Sequence, residues 1–177
     1  MVRVYIPATL AMLQRLVADQ SLHALSGTAF AVTPTLRESY AEGDDDELSE
    51  VALREAALAS LRLLAAESDE QERSDRGIES GELPLRRAVL VADVEGATSR
   101  PDLDDAVVRL SGPIGFGDVV AAYVDNATAE PAVAAAMDVV DLADLGDEDA
   151  ELTVGDAMDH DLAWYATQEL PFLLELL

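Results

Sequence analysis

Short apolar runs alternate along this chain with stretches at helical spacing, a pattern that predicts a fold mixing strands and helices. Val2–Ile6 is rich in β-branched and aromatic residues and ends at Pro7, so it reads as a strand. Thr9 then stands where a side chain caps a helix whose Leu10, Leu13 and Val17 share one face. Ser26-Gly27 breaks the chain, and Thr28–Thr33 reads as a second strand closed by Pro34. A long helix follows, with Asp44 and Glu47 at capping-box spacing and Leu58, Leu61, Leu64 and Ala65 on its inner side. Glu50 and Arg54 are spaced for an ion pair on its outer side. The pattern predicts its end near Ser68, followed by a flexible, charged surface link over about 68–84.

Ala88–Ala92 is apolar at every position, as a strand buried on both faces would be. Val107–Leu110 reads as another strand, followed by a short helix around Asp118–Ala121 and a strand around Ala122–Asp125. Thr128 and Pro131 open a helix that turns Val133, Met137 and Val140 inward and stops at Gly146. Leu162–Tyr165 reads as a last strand, and Pro171 opens an apolar helix to Leu177. The closing LPFLLELL is apolar enough to dock on the core or on a second subunit, so a homodimer is among the expectations.

Both halves carry these elements in the same order. Val2-Arg3-Val4 before Pro7 matches Val108-Arg109-Leu110 before Pro113, Ala29-Phe30 matches Ala122-Tyr123, and Ala92 and Glu95 match Ala166 and Glu169. The order predicts an α/β protein, with α+β as the variant, built as a six-strand pseudo-two-fold duplication of a β-α-β-α-β unit with helices on the sheet or sheets. One domain over 1–177 would then hold repeats at 1–95 and 106–177. Sequence pattern leaves the strand order open. The opening VRVYIPATLAML, the TPTLRESY segment and the closing HDLAWYATQELPFLLEL resemble an uncharacterised α/β family of high-GC actinobacteria, and together they bracket nearly the whole chain. That family has no assigned activity, so the resemblance implies domain boundaries and no chemistry.

Composition narrows the chemistry. The 177 residues are half hydrophobic, enough for one core, and no apolar run approaches a membrane span. The start lacks a signal peptide's layout and cysteine is absent, so the expected setting is cytoplasmic, without disulfides or thiolate sites. All eleven basic residues are arginine. Without lysine there is neither a P-loop nor a Schiff base, and His23 and His160 alone cannot make a three-histidine metal centre. No cofactor and no metal are expected. The net charge is −25: residues 1–43 balance three acids against three arginines, whereas Leu110 onward carries fifteen carboxylates and no arginine. Such a surface repels phosphate backbones, which argues against nucleic acid. It is either a compositional habit or a face for a basic partner.

Several residues invite a chemical reading. Gly112, Gly115 and Gly117 lie between a strand and a helix, but in the order G-x-x-G-x-G, which suits a turn better than a dinucleotide loop. Asp93 and Glu95 close an apolar strand like the paired carboxylates of a magnesium-dependent phosphotransferase, or like any solvated strand end. The acids Asp141–Asp149 fail as a calcium loop because Ala143, Leu145 and Leu152 occupy ligand positions. His160, flanked by Asp159 and Asp161, has the makings of a general base or simply leads into a strand. Arg37, Glu38 and Tyr40 follow a strand's C-terminal end, where open α/β folds place ligands, and Arg37 either binds an anion or pairs with Glu38 or a neighbour. Trp164 and Glu169 hold the corresponding end of the second half.

Two functions follow as expectations. The first is a non-catalytic interaction or regulatory protein with an acidic surface. The second is a small-molecule-binding protein or enzyme with a carboxylate/arginine site at the strand ends between the repeats, formed by Arg37, Glu38, Tyr40, Asp93, Trp164 and Glu169.

Overall fold

All six expected strands form, and they lie in one sheet. A computed structural model of the chain describes residues 1–24, 27–40, 42–74 and 83–177. In chain order the elements are β1 (Val2–Ala8), α1 (Leu10–Asp19), β2 (Ser21–Leu22), β3 (Thr28–Phe30), α2 (Pro34–Ser39), α3 (Asp45–Ser74), β4 (Ala88–Val94), β5 (Thr98–Ser99), β6 (Val107–Arg109) and β7 (Ile114–Gly115). They continue with β8 (Val119–Val124), α4 (Glu130–Met137), α5 (Val140–Asp144), α6 (Glu148–Met158), β9 (Ala163–Ala166) and α7 (Leu170–Glu175). The main sheet has the order β5-β6-β3-β1-β4-β8-β9, with every pairing antiparallel, and β2 and β7 form a separate ribbon.

Strand alternation sends each face of the sheet into its own core. Val4, Ile6, Leu90, Ala92, Ala122 and Val124 pack under α1 and α7 through Leu10, Leu13, Leu16, Leu170 and Leu173. Tyr5, Phe30, Val89 and Val91 point the other way, under Leu48, Ala52, Ala56 and Leu61 of α3 and Val133, Ala136, Val154 and Ala157 of α4 and α6. Two helical layers thus sandwich an antiparallel sheet. Ala88–Ala92 is buried on both faces as its composition implies, although its neighbours run antiparallel to it.

Several expectations are corrected. The strand order does not confirm the expected six-strand pseudo-two-fold. β3, β1 and β4 are contiguous, whereas their supposed counterparts β6, β8 and β9 are split between opposite ends of the sheet. α3 runs on to Ser74 because Glu70, Gln71, Glu72 and Arg73 are good helix formers with no glycine or proline among them. The remainder of the expected link, from 75 to 82, lies outside the described residues, as does Ser26 of the first chain break. Most of TPTLRESY, given no element by the sequence pattern, is helical: Thr33 Oγ1 accepts from the Leu36 N–H at 3.1 Å and starts α2. The Asp118–Ala121 helix is mostly strand β8. Instead of one helix ending at Gly146, α4 and α5 are separated at Val139, and α6 follows. Among the described residues no helix is long and apolar enough to cross a membrane.

Candidate functional site

The register places the expected site residues other than Trp164 at one end of the sheet but does not bring them together; Trp164, paired with Tyr123, sits toward the opposite end. Arg3↔Asp93, Tyr5↔Phe30 and Ala121↔Ala166 set the start of β1, the ends of β3, β4 and β9, and therefore α2 and Glu169, on the same side. From β3 to β9 there are four strand spacings, about 19 Å. Three of the charged groups, Arg37, Asp93 and Glu169, also have local partners. Arg37 pairs with Asp45. Asp93 takes two hydrogen bonds from Arg3, at 3.0 and 3.2 Å, and these hold its carboxyl below the usual aspartate value. Glu169 accepts the Ala166 N–H at 3.0 Å. Glu38 and Tyr40 are exposed on and just after α2, and Trp164 is exposed on the outer strand β9.

Asp93 lines a groove of about 350 Å³ with Glu95, Ser111, Gly112 and Asp118. Gly112 and Gly117 have open space where a Cβ would stand, so no close backbone approach demands glycine there. Asp118 instead accepts the Gly115 N–H at 3.0 Å and closes a turn. In the Asp141–Asp149 run, Asp144 pairs with Arg62 and Asp147 caps α6 through the Ala150 N–H. No group of three or more His, Asp or Glu among the described residues could hold a metal ion.

The buried polar chemistry lies at the opposite end of the sheet. Ala88↔Val124 is the last pair of β4 and β8, so the residues just outside it, Arg87 and Asp125, face each other. They are 1% and 0% exposed at the side chain. Asp125 Oδ2 accepts the Arg87 backbone N–H and Nε–H, both at 2.8 Å, and Oδ1 accepts Nη2–H at 2.8 Å. Nη2 also donates to the His160 carbonyl at 2.8 Å, tying the strand pair to the turn after α6. Among the described residues Nη1 donates to Met158 Sδ, at 3.4 Å, and a thioether is a weak acceptor. Next to this pair, Ser60 Oγ donates to the Ala8 carbonyl at 2.7 Å and accepts the Ala88 N–H at 3.0 Å, linking α3 to β1 and β4.

A second groove, of about 360 Å³, opens over this guanidinium. One face of α3 supplies Glu50, Leu53, Arg54 and Ala57, and the α6–β9 turn supplies Met158, His160, Asp161 and Leu162. The expected Glu50–Arg54 ion pair is not made; both side chains line the groove instead, and among the described residues Arg54 makes no ion pair. His160 lines this groove, and its carbonyl holds Arg87. Sequence reading passed over Arg87 and Asp125, although each directly flanks an apolar strand.

The α4–α6 layer presents the acidic surface. Between Glu130 and Asp161 stand eleven carboxylates and no arginine. The basic contacts to this layer come from elsewhere: Arg62 to Asp144 at 2.8 Å, and Arg86 to Glu130 at 3.8 Å. Among these acids Leu142, Leu145 and Leu152 are 50%, 84% and 70% exposed.

Compared with known proteins, residues 2–174 match one family, described as a family of unknown function (DUF6912). No curated protein and no solved structure matches the chain.

Proposed function

The chain belongs to DUF6912, a family without an assigned function, and from its own surface we propose that it is a non-catalytic interaction protein that docks a basic partner on the α4–α6 layer. The observation that carries this reading is the set of exposed leucines, Leu142, Leu145 and Leu152, inside a field of carboxylates with no arginine of its own. Acids alone would serve solubility. Large apolar side chains left in water gain nothing for folding, and apolar groups rimmed by charge are the composition of a docking patch. Carboxylates around them steer a basic partner in and reject an acidic one. The carboxylate/arginine site expected at the strand ends is the weaker reading, because its members stand apart and Arg37, Asp93 and Glu169 are bound to local partners.

Affinity capture tests it. Immobilised protein is expected to retain a basic protein at about 0.15 M salt and release it at about 1 M, where screening shrinks to about 3 Å. The L145A/L152A variant is expected to retain about tenfold less, the effect of losing roughly 1.4 kcal/mol of apolar contact. Identical retention by the variant, or capture only of a second copy of this chain, would sink the proposal.

A further inference from the structure

The groove over Arg87 carries an inference independent of the docking face. We propose that it binds a small zwitterion of the amino-acid type, with an apolar side chain.

Apart from Arg87, its charged groups are not paired elsewhere among the described residues. In the groove at the other end of the sheet, Asp93 is held by Arg3 and Asp118 by a backbone N–H. Here Glu50, Arg54 and Asp161 make no ion pair within 4.0 Å among the described residues. Arg87 closes the floor: it is buried and paired with Asp125, and Met158 and His160, which bond its guanidinium, are themselves groove residues. The pair thereby fixes the shape of the groove beneath the exposed charges.

Charge sign selects the class of ligand. Among the described residues the groove offers one unpaired cation, Arg54, and two anions, Glu50 and Asp161, while Arg87 is already neutralised by Asp125. A simple anion would approach against the field of a chain with net charge −25, and a simple cation would leave Arg54 without an anion. A zwitterion has no net charge to repel, and both its ends find partners. Glu50 and Arg54 are one helical turn apart, with Cβ atoms about 5–6 Å from each other, close enough to take the ammonium and carboxylate of one molecule. Leu53, Ala57, Met158 and Leu162 provide apolar wall for a side chain. The volume of about 360 Å³ is at the small end of the range for small-molecule sites, about 300–1,000 Å³.

Calorimetric titration of the full chain with L-leucine, L-methionine and L-phenylalanine tests the proposal. Saturable binding is expected for at least one of them, with chemical-shift changes at the His160 imidazole. For leucine, 4-methylpentanoate and 3-methylbutylamine each lack one charge and are expected to bind at least about tenfold more weakly, the usual loss for a charge-assisted hydrogen bond. Arg54→Gln and Asp161→Asn alter solvent-reaching side chains and leave the Arg87–Asp125 pair closed. Each is expected to weaken binding about tenfold with an unchanged unfolding midpoint. The proposal is overturned if none of the three amino acids binds at about 10 mM, a generous ceiling for a specific site. It is equally overturned if 4-methylpentanoate binds as well as leucine, or if both variants bind like the wild type.

Discussion

Arg87 and Asp125 are the residues on which the interior depends most. Opening a buried pair by removing one partner leaves an uncompensated charge in a low-dielectric site, and such changes cost about 3–5 kcal/mol. Asp125→Ala or Arg87→Met is therefore expected to lower the unfolding free energy by about that much in urea titrations. The double variant R87M/D125L removes both charges and is expected to recover most of the loss. Single variants costing under about 1 kcal/mol would show that the site hydrates freely instead. This pair also marks how far a sequence can be read at the scale of residues. Thr9 and Asp44 were legible as helix caps because a cap is a local arrangement, and Thr9 Oγ1 and Asp44 Oδ1 do accept the Met12 and Glu47 N–H groups. Arg87 and Asp125 are 38 residues apart and become partners only through the β4–β8 register, which no local pattern reveals.

Among elements, α3 is the member that touches most of the others, and the Arg62–Asp144 pair ties it to α5. Two hydrogen bonds from Arg62, at 3.0 and 2.8 Å, hold the Asp144 carboxyl below the usual aspartate value. A carboxyl whose pKa is depressed on folding adds stability that is fully present above its unfolded value, about 3.9, and fades as pH falls through the folded value. Both side chains are nearly half exposed, so solvent screening keeps the contribution below about 1 kcal/mol. Arg62→Gln is expected to return Asp144 toward the ordinary value in a carbon-detected NMR titration and to remove that part of the acid sensitivity. An unmoved titration would mean that Arg62 is not the cause. The six longer strands were legible because each is rich in apolar or β-branched residues, whereas the two-residue strands β2, β5 and β7 carry no such run. α6 was missed because its first turn is acidic rather than apolar. Those acids mark its beginning: Asp147 caps the helix and Glu148, Asp149 and Glu151 fill its first turn, where carboxylates meet the positive end of the helix dipole.

Whole-molecule properties divide into one that sequence gives directly and one that it hides. Strand order is hidden: matching elements in both halves suggested a duplication, but β6 pairs with β3 while β8 and β9 extend the sheet beyond β4. Net charge is visible outright, and −25 on a chain of 177 residues has a consequence for stability. Like charges crowd together on folding, and the repulsion weakens as the screening length shortens from about 30 Å in 0.01 M salt to about 8 Å in 0.15 M. The ion pairs oppose this trend only feebly, since most are exposed and worth little, and the Arg87–Asp125 pair is too buried to be screened. Added salt is therefore expected to raise the unfolding temperature at pH 7, by about 2–4 °C for each 1 kcal/mol of repulsion relieved. Sodium chloride and tetramethylammonium chloride at equal ionic strength should act alike if screening is the cause; a rise with sodium alone would indicate cation binding, and no rise would mean that the carboxylates are already spaced beyond one another's reach. Docking of a basic partner must respond in the opposite sense, because screening removes attraction there. One salt series that follows both unfolding and capture thus separates an acidic surface that merely tolerates its charge from one that uses it.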